Sequence, residues 1–181
     1  ITKVLNNSSL YPQEGKNQHA FCTDIDTKGD VRVLCNITEN ESWMSTMLHE
    51  FGHAVYMLGH DAANLPFALR NSAHIFTTEA IAMMMERCSS NPLWLKEFRG
   101  ISEKESQEIE ENSFKQSRLA KLVFSRWVQV VYRFEKEMYA NPEQDLNALW
   151  WSLVERYQLL KKPEGRDAPD YATKIHIALY P

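Results

Sequence analysis

Residues 40–59 read NESWMSTMLHEFGHAVYMLG, and this stretch decides the fold. Its apolar residues recur at steps of three and four: Trp43, Met47, Leu48, Phe51, Ala54, Val55 and Leu58. That spacing is the period of an amphipathic α-helix. Asn40 is a favoured residue at a helix start and Gly59 a favoured residue at a helix end. The pattern therefore predicts one buried helix between them.

The same stretch contains His49-Glu50-Phe51-Gly52-His53, which is the pattern H-E-x-x-H. A spacing of four residues puts both imidazoles on one face of a helix, within reach of a single metal ion. Such a pair holds zinc together with a third protein ligand and a water, whose proton a neighbouring carboxylate takes. The residues therefore predict a zinc site with Glu50 as general base. The alternative is two polar histidines hydrogen-bonded on a helix face.

The third ligand has several candidates after the motif. They are His60, Asp61, His74, Glu79 and Glu86. Glu79 lies in a second apolar run, where an unpaired carboxylate would cost several kcal/mol unless a cation or a hydrogen-bond donor met it. A zinc ion would be such a partner, so the pattern favours Glu79. The alternative is a residue on the solvent side of its helix.

Composition limits the class of protein. The 181 residues are 44% hydrophobic and 24% charged, with Gly 6 and Pro 7, which is typical of a packed domain. Lys and Arg number 20 and Asp and Glu number 24, so the net charge is −4, and no basic block is present. We therefore expect neither nucleic acid nor a membrane as a partner. The apolar stretches are also too short to span a bilayer.

The cysteines give an indication of the cellular compartment. Cys22, Cys35 and Cys88 are an odd number and lack metal-binding spacing. They argue against a disulfide framework. Together with the absence of a leader sequence at Ile1, they favour a cytoplasmic location.

The rest of the chain is predicted to be mainly α-helical, with one small β-hairpin near the N-terminus. Residues 19–36 place a Thr-Lys-Gly-Asp turn between two segments with apolar residues, which indicates the hairpin. Apolar residues at helical spacing predict further helices over residues 74–88, 119–138 and 146–160.

Beyond the motif, the sequence resembles one group of zinc peptidases. Residues 49–85, with LPFALR at 65–70 and TEAI at 78–81, are similar to the two zinc-binding helices of that group. WWSL at 150–153 and KIHI at 174–177 resemble its late segment. The group comprises the gluzincin metallopeptidases of the angiotensin-converting enzyme (dipeptidyl carboxypeptidase) and oligoendopeptidase F / thimet oligopeptidase families.

The resemblance implies a zincin-like helical fold. Residues 1–181 would be a single fragment, the C-terminal part of a larger catalytic domain. Within it, residues 19–36 would form the β-hairpin and residues 40–88 the zinc-binding helices. Residues 106–181 would supply the C-terminal helices and a substrate-side segment. The remainder of the same catalytic domain would then be a partner of this fragment.

The resemblance also implies a zinc-dependent peptidase that hydrolyses short peptides, of the oligopeptidase or dipeptidyl carboxypeptidase type. His49, His53 and Glu79 would hold one zinc ion per chain. Glu50 would be the general base in a direct attack by zinc-bound water. His176 would be a second catalytic residue, donating a hydrogen bond to the substrate carbonyl and its developing oxyanion.

Three further residues are implied to bind the oligopeptide substrate. His19 and Ala20 would begin the strand that pairs with the substrate backbone by β-augmentation. Lys174 would attract a carboxylate of the substrate.

The sequence departs from the group's pattern at three places. The substrate-side tyrosines of the group come several residues after the Lys-x-His pair, and Tyr180 stands too close to His176 to take that role. Met83 occupies the place of an aspartate that steadies a zinc histidine in angiotensin-converting enzyme, so the surroundings of that histidine must differ. Gln18 replaces the cysteine that would pair with Cys35, so that disulfide cannot form.

Two alternatives remain open from the sequence. The chain could be a zinc-binding structural fragment without turnover, because the opposite wall of the cleft and the tyrosines are missing from it. It could also be a helical interaction domain in which the motif arose by chance.

Overall fold

A computed structural model describes residues 1–60 and 62–174. The chain divides into two compact units, Ile1–Ser113 and Phe114–Pro181. The helices are α1 (Thr2–Asn7), α2 (Glu41–Gly59), α3 (Ile75–Glu86), α4 (Pro92–Trp94), α5 (Glu103–Ala140) and α6 (Leu146–Gln158). The strands β1 (Phe21–Asp24) and β2 (Val31–Leu34) form an antiparallel hairpin. The predicted fold class, mainly α with a small N-terminal hairpin, is confirmed.

Helix α2 begins and ends where its sequence predicts. The side chain of Asn40 caps it by accepting a hydrogen bond of 2.8 Å from the backbone N–H of Trp43. Gly59 is its last residue. The buried side of α2 includes Ala54, which is fully enclosed, and packs against the hairpin.

The hairpin covers α2 with one face of β2. Val31 and Val33 alternate with exposed Arg32, as expected of a strand with one buried side. On its far side β2 pairs with Ser9, whose N–H and C=O bond to Val33 and Cys35 at 3.0 and 2.9 Å. Within the described residues, β2 is therefore paired along both edges, whereas β1 has strand β2 on one edge and no strand on the other.

Helix α3 approaches α2 very closely at Gly52. A Cβ atom at that position would lie 2.7 Å from the Cα atom of Ala82 and 3.3 Å from its backbone nitrogen. Because glycine has no side chain, the two backbones can touch here, and Ala82 is itself fully buried. This contact lies between the two histidines of the motif and fixes the distance between α2 and α3.

We expect Gly52→Ala to lower the free energy of unfolding by about 1–3 kcal/mol, because the added methyl group must displace the backbone of α3. Gly59→Ala is the matched control, since a Cβ there meets nothing within 4 Å. That control should be neutral or slightly stabilising, as alanine favours the helix. Urea unfolding measures both variants. Equal stabilities for the two would contradict the close approach of the helices.

The second unit is built around the packing of α5 on α6. Its core cluster contains Val130, Phe134, Trp150, Leu153 and Val154. The ring of Phe134 meets that of Trp150 edge to face, with 5.2 Å between centroids. These residues come from the apolar spacing that predicts the two helices.

Helix α5 is longer at its start than its apolar spacing predicts. Ser102 and Glu105 form a capping box, in which Glu105 accepts a 2.8 Å bond from the Ser102 N–H and donates its own N–H to the Ser102 hydroxyl at 3.2 Å. The cap starts the helix at Glu103, sixteen residues before the first apolar residue of the predicted stretch.

Among the described residues, no helix combines the length and the apolar character that crossing a membrane requires.

Candidate metal centre

The two histidines of the motif meet on one face of α2. His49 Nε2 and His53 Nε2 are 3.2 Å apart. Their side chains are 22% and 12% exposed. The spacing of one helical turn produces this pair, and the packing of the hairpin and α3 shields it.

Glu79 completes a triangle with the two histidines. Its carboxylate reaches from α3, with Oε2 at 3.4 Å from His49 Nε2 and Oε1 at 3.5 Å from His53 Nε2. The apolar neighbours of Glu79 in sequence suggest a buried carboxylate that needs a cation. The Glu79 side chain is instead 43% exposed, so burial does not require a cation here. Its contacts with the histidines, rather than desolvation, are what single it out.

The three groups fit a zinc ion. Ligand atoms held about 2.0–2.1 Å from zinc at tetrahedral angles lie about 3.3–3.4 Å from one another. Here the two Nε2 atoms are 3.2 Å apart, while Glu79 Oε2 lies 3.4 Å from His49 Nε2 and Glu79 Oε1 lies 3.5 Å from His53 Nε2. One ligand atom from each of the three residues lies within 4.8 Å of the other two. Two histidine nitrogens and one carboxylate oxygen are also a donor set that zinc prefers, with one position left for water. Within the described ranges, His49, His53 and Glu79 form the cluster whose ligand atoms all lie close enough for one ion.

The other candidate ligands have different contacts. His60 Nε2 bonds to the carbonyl oxygen of Leu69 at 3.0 Å, and His74 caps α3 by accepting the N–H of Phe76 at 3.0 Å. Glu86 reaches the opposite side of the His49 ring, where its Oε2 lies 3.0 Å from Nδ1. Asp61 lies outside the described residues.

Glu50 follows His49 on α2, and its charge acts on the thiols of Cys22 and Cys35. The residue is 8% exposed. Burial, with the negative charge of Glu79 nearby, raises the pKa of the Glu50 carboxyl to about 7. A carboxyl with a pKa near neutrality can both accept and release a proton at physiological pH, as a general base must.

The histidines themselves have opposite pKa shifts. Hydrogen bonds to Glu79 and then to Glu86 raise the pKa of His49 to about 10, whereas burial lowers the pKa of His53. A metal ion binds the neutral imidazole, so an ion at this position would have to displace the additional proton that the carboxylates favour on His49.

The predicted strand for substrate lies beside this cluster. His19 is exposed, and its N–H donates to the side chain of Asn17 at 2.9 Å. Ala20 packs against the core under the hairpin. Both precede β1 directly, and the edge of β1 opposite β2 carries no strand in the described part of the chain. Whether these residues bind substrate stays a prediction.

Lys174 belongs to the second unit. Its Nζ lies 5.6 Å from the centre of the Trp127 ring, in a cation–π contact. It lines a cavity of about 300 Å³ together with Trp150, Trp151 and Asp170. His176 and Tyr180 lie outside the described residues, so the predicted catalytic role of His176 also stays a prediction.

A second cavity, of about 190 Å³, opens next to the metal cluster in the first unit. Tyr56 and Met57 line it one turn beyond His53, and Thr78 lines it next to Glu79. Cys22 of β1 closes a third side. The cavity thus continues the face of α2 that carries the histidines.

The cysteines of the first unit are free thiols. Burial raises the pKa of Cys22 to about 12 and that of Cys35 to about 11, with a further contribution from the charge of Glu50. At neutral pH the thiols of Cys22 and Cys35 are therefore protonated and unreactive.

A helix with H-E-x-x-H that meets a glutamate from a second helix defines the gluzincin class of metallopeptidases, and this chain has that arrangement. The sequence pattern of the Peptidase M2 family, described as angiotensin-converting enzyme, matches residues 7–180. The chain belongs to this family.

Curated relatives agree with the assignment. The chain is 28% identical over 173 residues to angiotensin-converting enzyme of Oryctolagus cuniculus and 27% identical over 173 residues to that of Sus scrofa. Each alignment covers 92% of this chain and 13% of the relative. The chain therefore spans about an eighth of the length of these relatives.

Solved structures share the fold at lower sequence identity. PZ peptidase A, determined with an inhibitor, is 20% identical, with a TM-score of 0.72 over 96% of this chain and 30% of that one. An oligoendopeptidase F from Bacillus anthracis str. Ames is 20% identical, with a TM-score of 0.63 over 84% of this chain and 27% of that one. These similarities support the zincin-like fold.

Proposed function

We propose that the chain is the metal-binding part of a zinc-dependent peptidase that hydrolyses short peptides. The observation that carries the proposal is the cluster of His49, His53 and Glu79, in which one ligand atom from each residue lies within 4.8 Å of the others, next to the buried Glu50. Membership in a peptidase family supports it. The chain would bind one zinc ion through these three side chains.

The zinc ligands, Glu50 and His176 would have different roles in the reaction. His49, His53 and Glu79 would hold the zinc ion, which would act as a Lewis acid toward water and the scissile carbonyl. Glu50 accepts the proton of the attacking water and passes it to the leaving nitrogen, for which a pKa near 7 is suited. The water would attack the carbonyl directly, without a covalent acyl-enzyme. His176 would donate a hydrogen bond to the carbonyl oxygen.

The substrate would be an extended peptide. Its backbone would pair with the outer edge of β1, beginning at His19 and Ala20, which suits an enzyme that accepts many side chains. The cavity lined by Tyr56 and Thr78 has a volume of about 190 Å³, which is room for one substrate side chain. Lys174 would hold a substrate carboxylate.

The remainder of the catalytic domain would complete the cleft. The chain covers 30% of PZ peptidase A and 13% of its curated relatives. Helix α3 exposes large apolar side chains that a further part of the domain would cover: Ile75, Phe76, Met83 and Met84. A cytoplasmic location, suggested by the cysteines, is kept as part of the proposal.

Zinc content and hydrolysis, measured together, test the proposal. We expect elemental analysis to find close to one zinc ion per chain. The complete protein should cleave quenched fluorescent oligopeptides. Cleavage should stop after treatment with the chelator 1,10-phenanthroline and resume when zinc is added back. Cleavage that persists without metal would overturn the proposal. Zinc binding without cleavage by the complete protein would favour the alternative of a structural zinc module.

A further inference from the structure

His49 uses its two ring nitrogens for different contacts. Nε2 lies 3.2 Å from His53 Nε2 and 3.4 Å from Glu79 Oε2, so it faces the proposed zinc position. Nδ1 lies on the other side of the ring, 3.0 Å from Glu86 Oε2. We propose that Glu86 is the carboxylate that positions His49 as a zinc ligand. This inference rests on the proposed function.

The chemistry of imidazole gives the contact its role. A histidine that binds a metal through one nitrogen carries its proton on the other. When that N–H donates to a carboxylate, the carboxylate fixes both the tautomer and the orientation of the ring, and it makes the ligand nitrogen more basic. With Nε2 toward the cluster, Nδ1–H of His49 donates to Glu86. Glu86 is thus a positioning residue rather than a ligand.

Helical spacing places both carboxylates of α3 on the side that faces His49. Glu86 is seven residues after Glu79, which is two helical turns and the same face of α3. Glu79 Oε2 lies 3.4 Å from Nε2 of the ring, and Glu86 Oε2 lies 3.0 Å from Nδ1. The two carboxylates therefore contact different nitrogens of one imidazole.

The end of α3 is held in place for this contact. Glu86 is the last residue of α3. Ser89 donates a hydrogen bond of 3.0 Å to the backbone carbonyl of Glu86 and lies 3.0 Å from Glu41 Oε1 of α2. Ser89 is 4% exposed. The single hydroxyl hydrogen of Ser89 is within reach of both oxygens, so the residues after α3 lie against α2 next to Glu86.

Zinc affinity of the 181-residue chain tests the proposal without any measurement of hydrolysis. In competition with a fluorescent chelator, Glu86→Ala should bind zinc about 10- to 100-fold more weakly than the unmodified chain. Glu86→Gln, which keeps the shape and loses the charge, should lie between them. The metal-free Glu86→Ala chain should stay folded.

Glu97→Ala is the control, since Glu97 is an exposed glutamate of the same unit and far along the chain from the motif. It should bind zinc like the unmodified chain. A Glu86→Ala chain with unchanged zinc affinity would overturn the inference and leave the proposed function standing. If both Glu86 variants lost zinc affinity and also lost an equal amount of free energy of unfolding in the metal-free state, Glu86 would have a structural role. That result would also overturn the inference. An unmodified chain that binds no zinc would instead overturn the proposed function.

Discussion

Alanine in place of Glu79 is expected to weaken zinc binding by a few hundredfold. A structural zinc site with four ligands contributes about 10–16 kcal/mol of apparent binding free energy in zinc-finger peptides, or about 2.5–4 kcal/mol for each ligand. Because about 1.4 kcal/mol corresponds to a factor of ten in affinity, the loss of one ligand weakens zinc binding by a few hundredfold. Glu79 is the ligand that α3 supplies, with its two oxygens 3.4 and 3.5 Å from the histidines. Chelator competition on the 181-residue chain measures the change.

The folded state should survive the loss of Glu79. Its side chain is 43% exposed, so alanine leaves no buried cavity and no buried unpaired group on α3. We therefore expect the metal-free chain to stay folded, with a lower melting temperature because His49 loses the hydrogen bond that contributes most to its raised pKa. Glu110→Ala, at an exposed position of α5, is the matched control for removing one acidic side chain. Zinc binding of normal strength in Glu79→Ala would show that the two histidines use another third ligand.

Glutamine in place of Glu50 is expected to reduce kcat for peptide hydrolysis by about 10²–10⁴-fold while zinc stays bound. Glutamine has the size and shape of glutamate but cannot accept a proton. Glu50 is 8% exposed and does not belong to the cluster of His49, His53 and Glu79, so the exchange removes the base and leaves the ligands. The complete protein is assayed with a quenched fluorescent peptide, and elemental analysis gives the zinc content.

The same pair of measurements separates the possible roles of Glu50. Loss of hydrolysis with full zinc content supports a general base. Loss of both would mean that Glu50 holds the site together, and the mechanism would have to change. Retention of hydrolysis would contradict the proposed role outright. Glu110→Gln should leave both quantities unchanged, because Glu110 is exposed and lies outside the cluster.

Local features of the fold were predictable where they depend on neighbours in sequence. Helix α2 runs from the cap at Asn40 to Gly59 because apolar spacing and end residues act within a few positions of each other. The start of α5 was missed, although its signal is present in the sequence as Ser102-x-x-Glu105. A capping box can begin a helix ahead of any apolar residue, and the apolar spacing alone does not report it.

The candidate site was predictable in part for the same reason. His49 and His53 are one turn apart, so the helix alone brings their rings together. The choice among the later candidates was weaker, since thirty residues separate His49 from Glu79 and spacing does not set their distance. Glu86 stood among those candidates as a possible ligand, and its place two turns from Glu79 on one face of α3 was a usable signal for a different role.

The sequence by itself determined that this protein has a H-E-x-x-H helix, a small hairpin and a mainly helical fold, because helical and strand periods are local properties of the chain. Only the tertiary structure decided which carboxylate meets which nitrogen of His49. That outcome depends on how closely α3 packs on α2. The missing side chain of Gly52 lets the backbone at Ala82 come within contact distance, and this sets Glu79 against both histidines and Glu86 against Nδ1 of His49.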